Sequence, residues 1–326
     1  MSTSQASAVM RQAVPRLSEA LDRVEVRLAE VLRSREPRLT EISGYLVNSG
    51  GKRVRPAVTV LIFRACGGED LTDIVDVATA LELIHSASLL HDDIIDDSDT
   101  RRGKPSALKR YGLADTLVTG DFVFSRAFQL CARFEEKLIH WAAEACILLT
   151  EGEVMQARFR KNPAVTVDDY LEIIHRKTAS IFRQGARTAA YLAGAPERLV
   201  EAMADCGYNV GMTFQIVDDL LDIEGKQSKI GKPIGIDLRE GNPSLPIVLS
   251  LNRCPEVRRV FEAAAPSDTD VAQALRAIRE SGVAAEVRQL GEQYRARART
   301  SLEQLVASEE KEQLIALIDQ LTVRAE

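Results

Sequence analysis

The sequence predicts an all-α fold in a single domain, and three observations carry that reading. Apolar residues recur at i, i+3 and i+4 spacing through most of the 326 residues. No stretch shows convincing strand-like alternation. Hydrophobic residues reach 45% while aromatic residues are only 5%, with one Trp. The core must therefore be mostly Leu, Ile, Val and Ala, of which Leu and Ala are strong helix formers.

The elements follow in order. Residues 6–34 carry Val9, Ala13, Leu17, Leu21, Val24, Leu28 and Leu32 as one apolar stripe. A shorter helix covers 38–48, Gly50 and Gly51 break it, and a helix resumes near Val54 or Pro56, since Pro suits a first turn. Residues 71–97 read as a long apolar-faced helix ending in acids. Gly103 and Pro105 make Arg101–Pro105 a loop. Further helices are expected at 113–132, 135–160 and 167–193, with Asn162-Pro163 as a linker and Thr166 with Asp169 as a capping box. Another spans 196–223, followed by a polar loop to Gly235. Four or five helices fill 244–325, punctuated by Pro255, Pro266 and Gly282. The short connections place residues 1–326 in one domain, with 1–35 as its N-terminal helix and 244–326 as its C-terminal helices.

Composition excludes several function classes. The net charge of −6 argues against nucleic-acid binding. No run is expected to reach the ~18 apolar residues of a membrane span, and the N-terminus shows no signal-like stretch. A cytoplasmic protein is expected. The five cysteines are dispersed, odd in number and without a CxxC pair, so they read as small buried residues. Of the four histidines, none forms an HExxH pair, and His140 and His175 receive no role.

Two motifs carry chemistry. HDDIIDD contains Asp92, Asp93, Asp96 and Asp97; FQIVDDLLD contains Asp218, Asp219 and Asp222. Both have the form DDxxD at the end of an apolar helical stretch. Residues i and i+4 share a helix face, so Asp92 and Asp96 project together, as do Asp218 and Asp222. Like charges at that spacing, near a negative helix C-terminus, are destabilising unless cations offset them. Leu89, Leu90, Ile94 and Ile95, and Ile216, Val217, Leu220 and Leu221, crowd these acids, which suggests the rim of a cavity. Carboxylate oxygens suit Mg2+, which keeps waters and is completed by substrate phosphates. Basic residues answer the acids: Lys52, Arg53 and Arg55 in GGKRVRP, Arg101-Arg102, Lys177 beside Thr178, and Lys226, Lys229 and Lys232. Together they point to two polyphosphate groups. No Walker A or EF-hand pattern is present.

With these pieces in place, the chain closely resembles the trans-isoprenyl diphosphate synthases. The matching segments are GGKRVRP (50–56), LIHSASLLHDDIIDDSDTRRGKPS (83–106), GDFVFSRAF (120–128), EGEVMQ (151–156), KTA (177–179), FQIVDDLLD (214–222) and GKPIGIDLREGNPSLP (231–246). The resemblance implies antiparallel helices around a deep central cavity, a homodimer, and head-to-tail addition of isopentenyl diphosphate to an allylic diphosphate. It implies Mg2+ as cofactor, about three ions per active site with substrate bound. Asp92, Asp96 and Asp218 would hold Mg2+ against the allylic diphosphate, supported by Asp93, Asp219 and Asp222 through metal or water. Arg101, Lys177 and Lys232 would also hold the allylic diphosphate. Lys52, Arg55, His85 and Arg102 would hold isopentenyl diphosphate. Thr178 and Gln215 would flank the developing allylic cation. His85 lies seven residues before Asp92, two turns along one face.

Product length is read from the cavity floor. Bulky aromatics one turn before the first motif floor short-chain members of the family; here those positions are Ala87 and Ser88, which implies a long-chain product. On the helix before Glu151, Ala142 leaves room, and Trp141 either closes the tunnel or is ordinary packing. The competing readings are a short-chain synthase, a terpene cyclase, which the isopentenyl-diphosphate motif disfavours, and an active subunit that needs a second protein.

Overall fold

The computed structural model describes residues 15–47, 49–51, 53–225 and 234–323. Lys52, Lys226, Lys229 and Lys232, to which roles were given above, lie outside the described residues, as do Val9 and Ala13. The architecture is all-α, as expected. The chain divides into two compact units, and four of the five boundaries fall inside helices, the fifth in the connection after Leu302.

The first unit takes its residues from Met1–Ala143, Gly185–Glu201 and Leu305–Leu314. It contains α1 (Pro15–Val31), α2 (Pro37–Val47), α3 (Val54–Ala65), α4 (Leu71–Ile95), a hairpin of β1 (Thr100–Arg101) and β2 (Lys104–Pro105), α5 (Ala107–Tyr111), α6 (Leu113–Cys131) and the start of α7 (Glu136–Phe159). Asp70 caps α4 by accepting from the Thr72 amide at 2.9 Å. Side chains on every face of α4 are buried, from Leu71 to Asp93, so it is a core helix and not an amphipathic one.

That corrects one expectation. Leu71–Ile95 does contain an 18-residue window of mean hydropathy 1.2, apolar enough to cross a membrane. Because 83% of that window is buried inside the protein, it reads as the core helix. It packs closely on α6, where Gly120 permits the contact: a Cβ there would land on the His91 ring. The expected loop at 101–105 is the hairpin turn. Arg102 and Gly103 both have positive φ, 54° and 76°, the backbone of a two-residue type I′ turn.

The second unit takes its residues from Glu144–Gln184, Ala202–Gln304 and Ile315–Glu326. It contains the rest of α7, α8 (Val167–Ile174), a π-helical turn (His175–Ala179), the start of α9 (Ser180–Leu192), most of α10 (Glu197–Glu224), α11 (Ile236–Glu240), α12 (Leu245–Ser250), α13 (Pro255–Glu262), α14 (Asp268–Glu280), α15 (Val283–Leu302) and the end of α16 (Glu309–Val323). The Thr166–Asp169 capping box forms as expected. Met212, Ile216, Leu220 and Ile223 are one stripe of α10 and lie in the core with Tyr170, Leu245, Phe261 and Val287. The next stripe on that helix carries Gln215, Asp219 and Asp222.

The continuous helix expected over 167–193 is interrupted by the π turn, which carries Lys177 and Thr178. Such turns concentrate at functional sites. Gly211 of α10 lets the turn approach: a Cβ there would stand 2.6 Å from the Cα of Ala179. Gly211→Ala should therefore destabilise by roughly 1–3 kcal/mol through overpacking, despite a helix-propensity gain of about 1 kcal/mol. Urea denaturation checks this; an Ala variant more stable than wild type contradicts it.

Candidate active site

In the first unit, the last two turns of α4 hold Asp92 and Asp93 buried and Asp96 half-buried. The two aspartates of the DD pair have different environments. Asp93 is fully buried and accepts from Arg101 Nε at 2.7 Å and from the Ala107 amide, the first residue of α5, at 3.3 Å. Burial pushes its carboxyl above the usual range, partly offset by the Arg101 guanidinium. Asp93 thus fastens the hairpin and α5 to α4. Each of its carboxylate oxygens accepts one of these hydrogen bonds.

Seven residues earlier on the same helix, His85 sits in a field of guanidiniums. Burial, then Arg55, Arg102, Arg101 and Arg53, hold its pKa well below the usual value, so the imidazole is neutral at physiological pH. Arg102 is half-buried, burial lowers its pKa, and among the described residues its Nη1 has no hydrogen-bond partner. Guanidiniums converge where Gly51 has no side chain: a Cβ there would lie 2.8 Å from Arg53 Nη1 and 3.4 Å from Arg102 Nη1. Arg55 stands in the first turn of α3 beside them. A concentration of positive charge of this kind has the chemistry to accommodate an anion.

Arg53 itself does other work. Its Nε donates to Glu25 at 2.6 Å, its Nη1 to Glu82 at 2.7 Å and its Nη2 to the Val47 carbonyl at 3.0 Å. Burial opposes its charge, but Glu25 and Glu82 more than offset this and raise its pKa. In sequence, Arg53 looks like its neighbours in GGKRVRP; nothing local marks Glu25 and Glu82 as its partners. Arg53→Ala strands the Glu82 carboxylate, whose side chain is only 4% exposed. It should lower unfolding free energy by about 3–5 kcal/mol in a denaturant titration; a loss under about 1 kcal/mol, as for a surface pair, contradicts the assignment.

In the second unit the polar groups form a relay. Thr178 Oγ1 donates to Gln215 Oε1 at 3.0 Å, and Gln215 Nε2 donates to Asp219 at 2.8 Å. Asp219 also accepts from the Leu245 amide, the first residue of α12, at 3.1 Å. It repeats what Asp93 does: the second aspartate of each motif holds the start of a following helix. Asp222 accepts from the amides of Ile236 and Asp237, both at 3.2 Å, and so caps α11. Asp218 is exposed.

Asp237 was missed by sequence reasoning. Burial, then Asp222, Asp219, Glu240 and Asp218, push its carboxyl well above the usual range. Burial also pushes Asp219 up to about 7, against the Gln215 and Leu245 hydrogen bonds and with help from Asp218. These donors are hard oxygens that repel one another, which is the chemistry Mg2+ fits. Among the described residues no three His, Cys, Asp or Glu side chains form a ready metal cage.

The sign for stability follows. An acid whose folded pKa is raised holds its proton in the fold, so ionising it opposes folding. Without metal, stability should fall as pH rises from about 4 toward 7, and Mg2+ with pyrophosphate should restore it at the upper end. A melting temperature that is flat across this range, or insensitive to Mg2+, contradicts this.

At the positions expected to set product length, Ala87 is fully buried and Ser88 nearly so, its hydroxyl donating to the His85 carbonyl at 2.9 Å. Trp141 is buried edge-on against Tyr191, centroids 5.7 Å apart, with Arg187 4.4 Å and Lys137 5.0 Å from its ring. Ala142 beside it is half-buried.

A family model described as polyprenyl synthetase matches residues 36–280. The chain belongs to the polyprenyl synthetase family. It is a prenyltransferase, and both acidic motifs and GGKRVRP fall inside the match. Octaprenyl diphosphate synthase of Haemophilus influenzae is 40% identical over 229 residues, 70% of this chain and 69% of that one. Heptaprenyl diphosphate synthase component 2 of Geobacillus stearothermophilus is 38% identical over 258 residues, 79% of this chain and 80% of that one. The crystal structure of a decaprenyl diphosphate synthase from Rhodobacter capsulatus has a TM-score of 0.90 at 33% identity, covering 98% of this chain and 99% of that one.

Proposed function

We propose that this polyprenyl synthetase condenses isopentenyl diphosphate head to tail with an allylic diphosphate to give a long-chain, all-trans polyprenyl diphosphate, a quinone side-chain precursor, in the cytoplasm. The observation that carries the reading is on α4. One helix presents carboxylates at its end and, two turns earlier, a neutral His85 ringed by arginines. The first suits a diphosphate bound through metal, the second a diphosphate bound by cations alone.

Arg55, His85 and Arg102 bind the isopentenyl diphosphate, with Lys52. Asp92, Asp96 and Asp218 hold Mg2+, and Arg101, Lys177 and Lys232 bind the allylic diphosphate. Bound Mg2+, about three ions per site, supplies charge stabilisation to the leaving diphosphate. Thr178 and Gln215 present fixed oxygens toward the developing allylic cation, their orientation locked by the relay to Asp219. Small Ala87 and Ser88 favour a long product, as do the names of the relatives. Trp141, boxed by Tyr191, Lys137 and Arg187, is a rigid candidate for the tunnel's end.

A homodimer is part of the reading. Leu113, Leu117 and Val118 are 57%, 46% and 55% exposed on α6, an apolar face that suits a second copy. The Geobacillus relative named as a component favours a second reading, in which a partner protein is needed. Incubating the purified chain alone with Mg2+, farnesyl diphosphate and labelled isopentenyl diphosphate tests both. Chelator-sensitive incorporation is expected; none would overturn the reading, and incorporation only with a second protein would establish the partner-dependent form.

A further inference from the structure

The EGEVMQ segment is part of the resemblance, yet neither glutamate has a role so far. Glu151, Gly152 and Glu153 lie on α7, facing the π turn. Gly152 has no side chain where the turn passes: a Cβ there would be 2.8 Å from the Lys177 amide nitrogen and 3.0 Å from Arg176 Cβ. On either side of this contact stands an ion pair, Arg176 Nη1 to Glu151 at 2.8 Å and Lys177 Nζ to Glu153 at 2.6 Å. The second carboxylate oxygen of Glu153 accepts from the same ammonium at 2.8 Å.

Burial decides which pair matters. Glu151 and Arg176 expose 50% and 32% of their side chains, so solvent screens them. Glu153 and Lys177 expose only 15% and 23%. A lysine on a flexible four-carbon stem is a poorly directed point charge unless something fixes it, and here two carboxylate oxygens do so.

We infer that Glu153 is a positioning residue that aims Lys177. It holds the ammonium over the π turn, where an arriving diphosphate finds the charge already in place. This rests on the reading of Lys177 as a diphosphate ligand. Glu153 touches no substrate in this account; it acts through Lys177.

A double-mutant cycle on pyrophosphate binding is the test, with Glu153→Gln, Lys177→Ala and the double variant titrated by calorimetry in Mg2+. Glu153→Gln is expected to weaken binding about tenfold, the scale of a hydrogen bond between charged groups. In the Lys177→Ala background the same change should have no further effect. Glu153→Asp keeps the charge and should recover part of the affinity; it also replaces Glu153→Gln in the cycle if that variant does not fold. Unchanged affinity in Glu153→Gln, or losses that simply add in the double variant, would overturn the inference. Failure of wild type to bind pyrophosphate would instead remove the underlying reading of the site.

Discussion

Asp92→Asn and Asp218→Asn should each lower turnover on the order of 10³-fold, with the metal-free fold left intact. A metal ligand at a leaving diphosphate is worth several kcal/mol in the transition state, and each ~1.4 kcal/mol is a factor of ten in rate. Asp93 and Asp219 are tied into the fold by the first amide of a short helix. Asp218 raises the pKa of both Asp219 and Asp237, so neutralising it relieves repulsion in the metal-free state. Asp93→Ala and Asp219→Ala should show the opposite balance. Asp93→Ala leaves Arg101 without its carboxylate, and Asp219→Ala leaves the Leu245 amide without its acceptor. Breaking the buried Asp93–Arg101 pair is worth about 3–5 kcal/mol, and leaving the buried Leu245 amide unsatisfied about 1–3 kcal/mol. Steady-state kinetics beside thermal melts separate the two classes. A first-position variant that unfolds, or a second-position variant as stable as wild type, contradicts the division.

Ser88→Phe should shorten the product from a long polyprenyl chain to one of a few isoprene units, with turnover largely preserved. Ser88 is one helical turn before Asp92, and its small side chain is only 8% exposed. A phenyl ring there fills space that a growing chain would need, and packed interiors do not yield to such a group without cost. Ala87 is fully buried, so enlarging it is expected to lower stability as well. Chromatography of the products reads the effect directly; an unchanged distribution removes Ser88 from the path of the chain.

Helix positions were legible because the apolar period is strong. Thr166, Pro255 and Gly282 mark element starts in the sequence and in the structure alike. The acidic motifs were legible because acids flanked by Ile and Leu at a helix end have few other uses. The π turn was not: HRKTA has ordinary helical propensity, and the widened turn is set by close packing against Gly152 and Gly211. Nor could spacing show that Arg53 pairs with Glu25 and Glu82, 28 and 29 residues away. Residues that look equivalent in one motif diverge because their partners come from distant segments. The same holds for Asp92 against Asp93 and for Asp218 against Asp219.

Long-chain prenyl transfer by this chain is read most directly from the product distribution of the purified protein with Mg2+, farnesyl diphosphate and excess isopentenyl diphosphate, resolved after dephosphorylation by reversed-phase chromatography. A main product of octaprenyl length or longer is expected. A main product of farnesyl or geranylgeranyl length would contradict it.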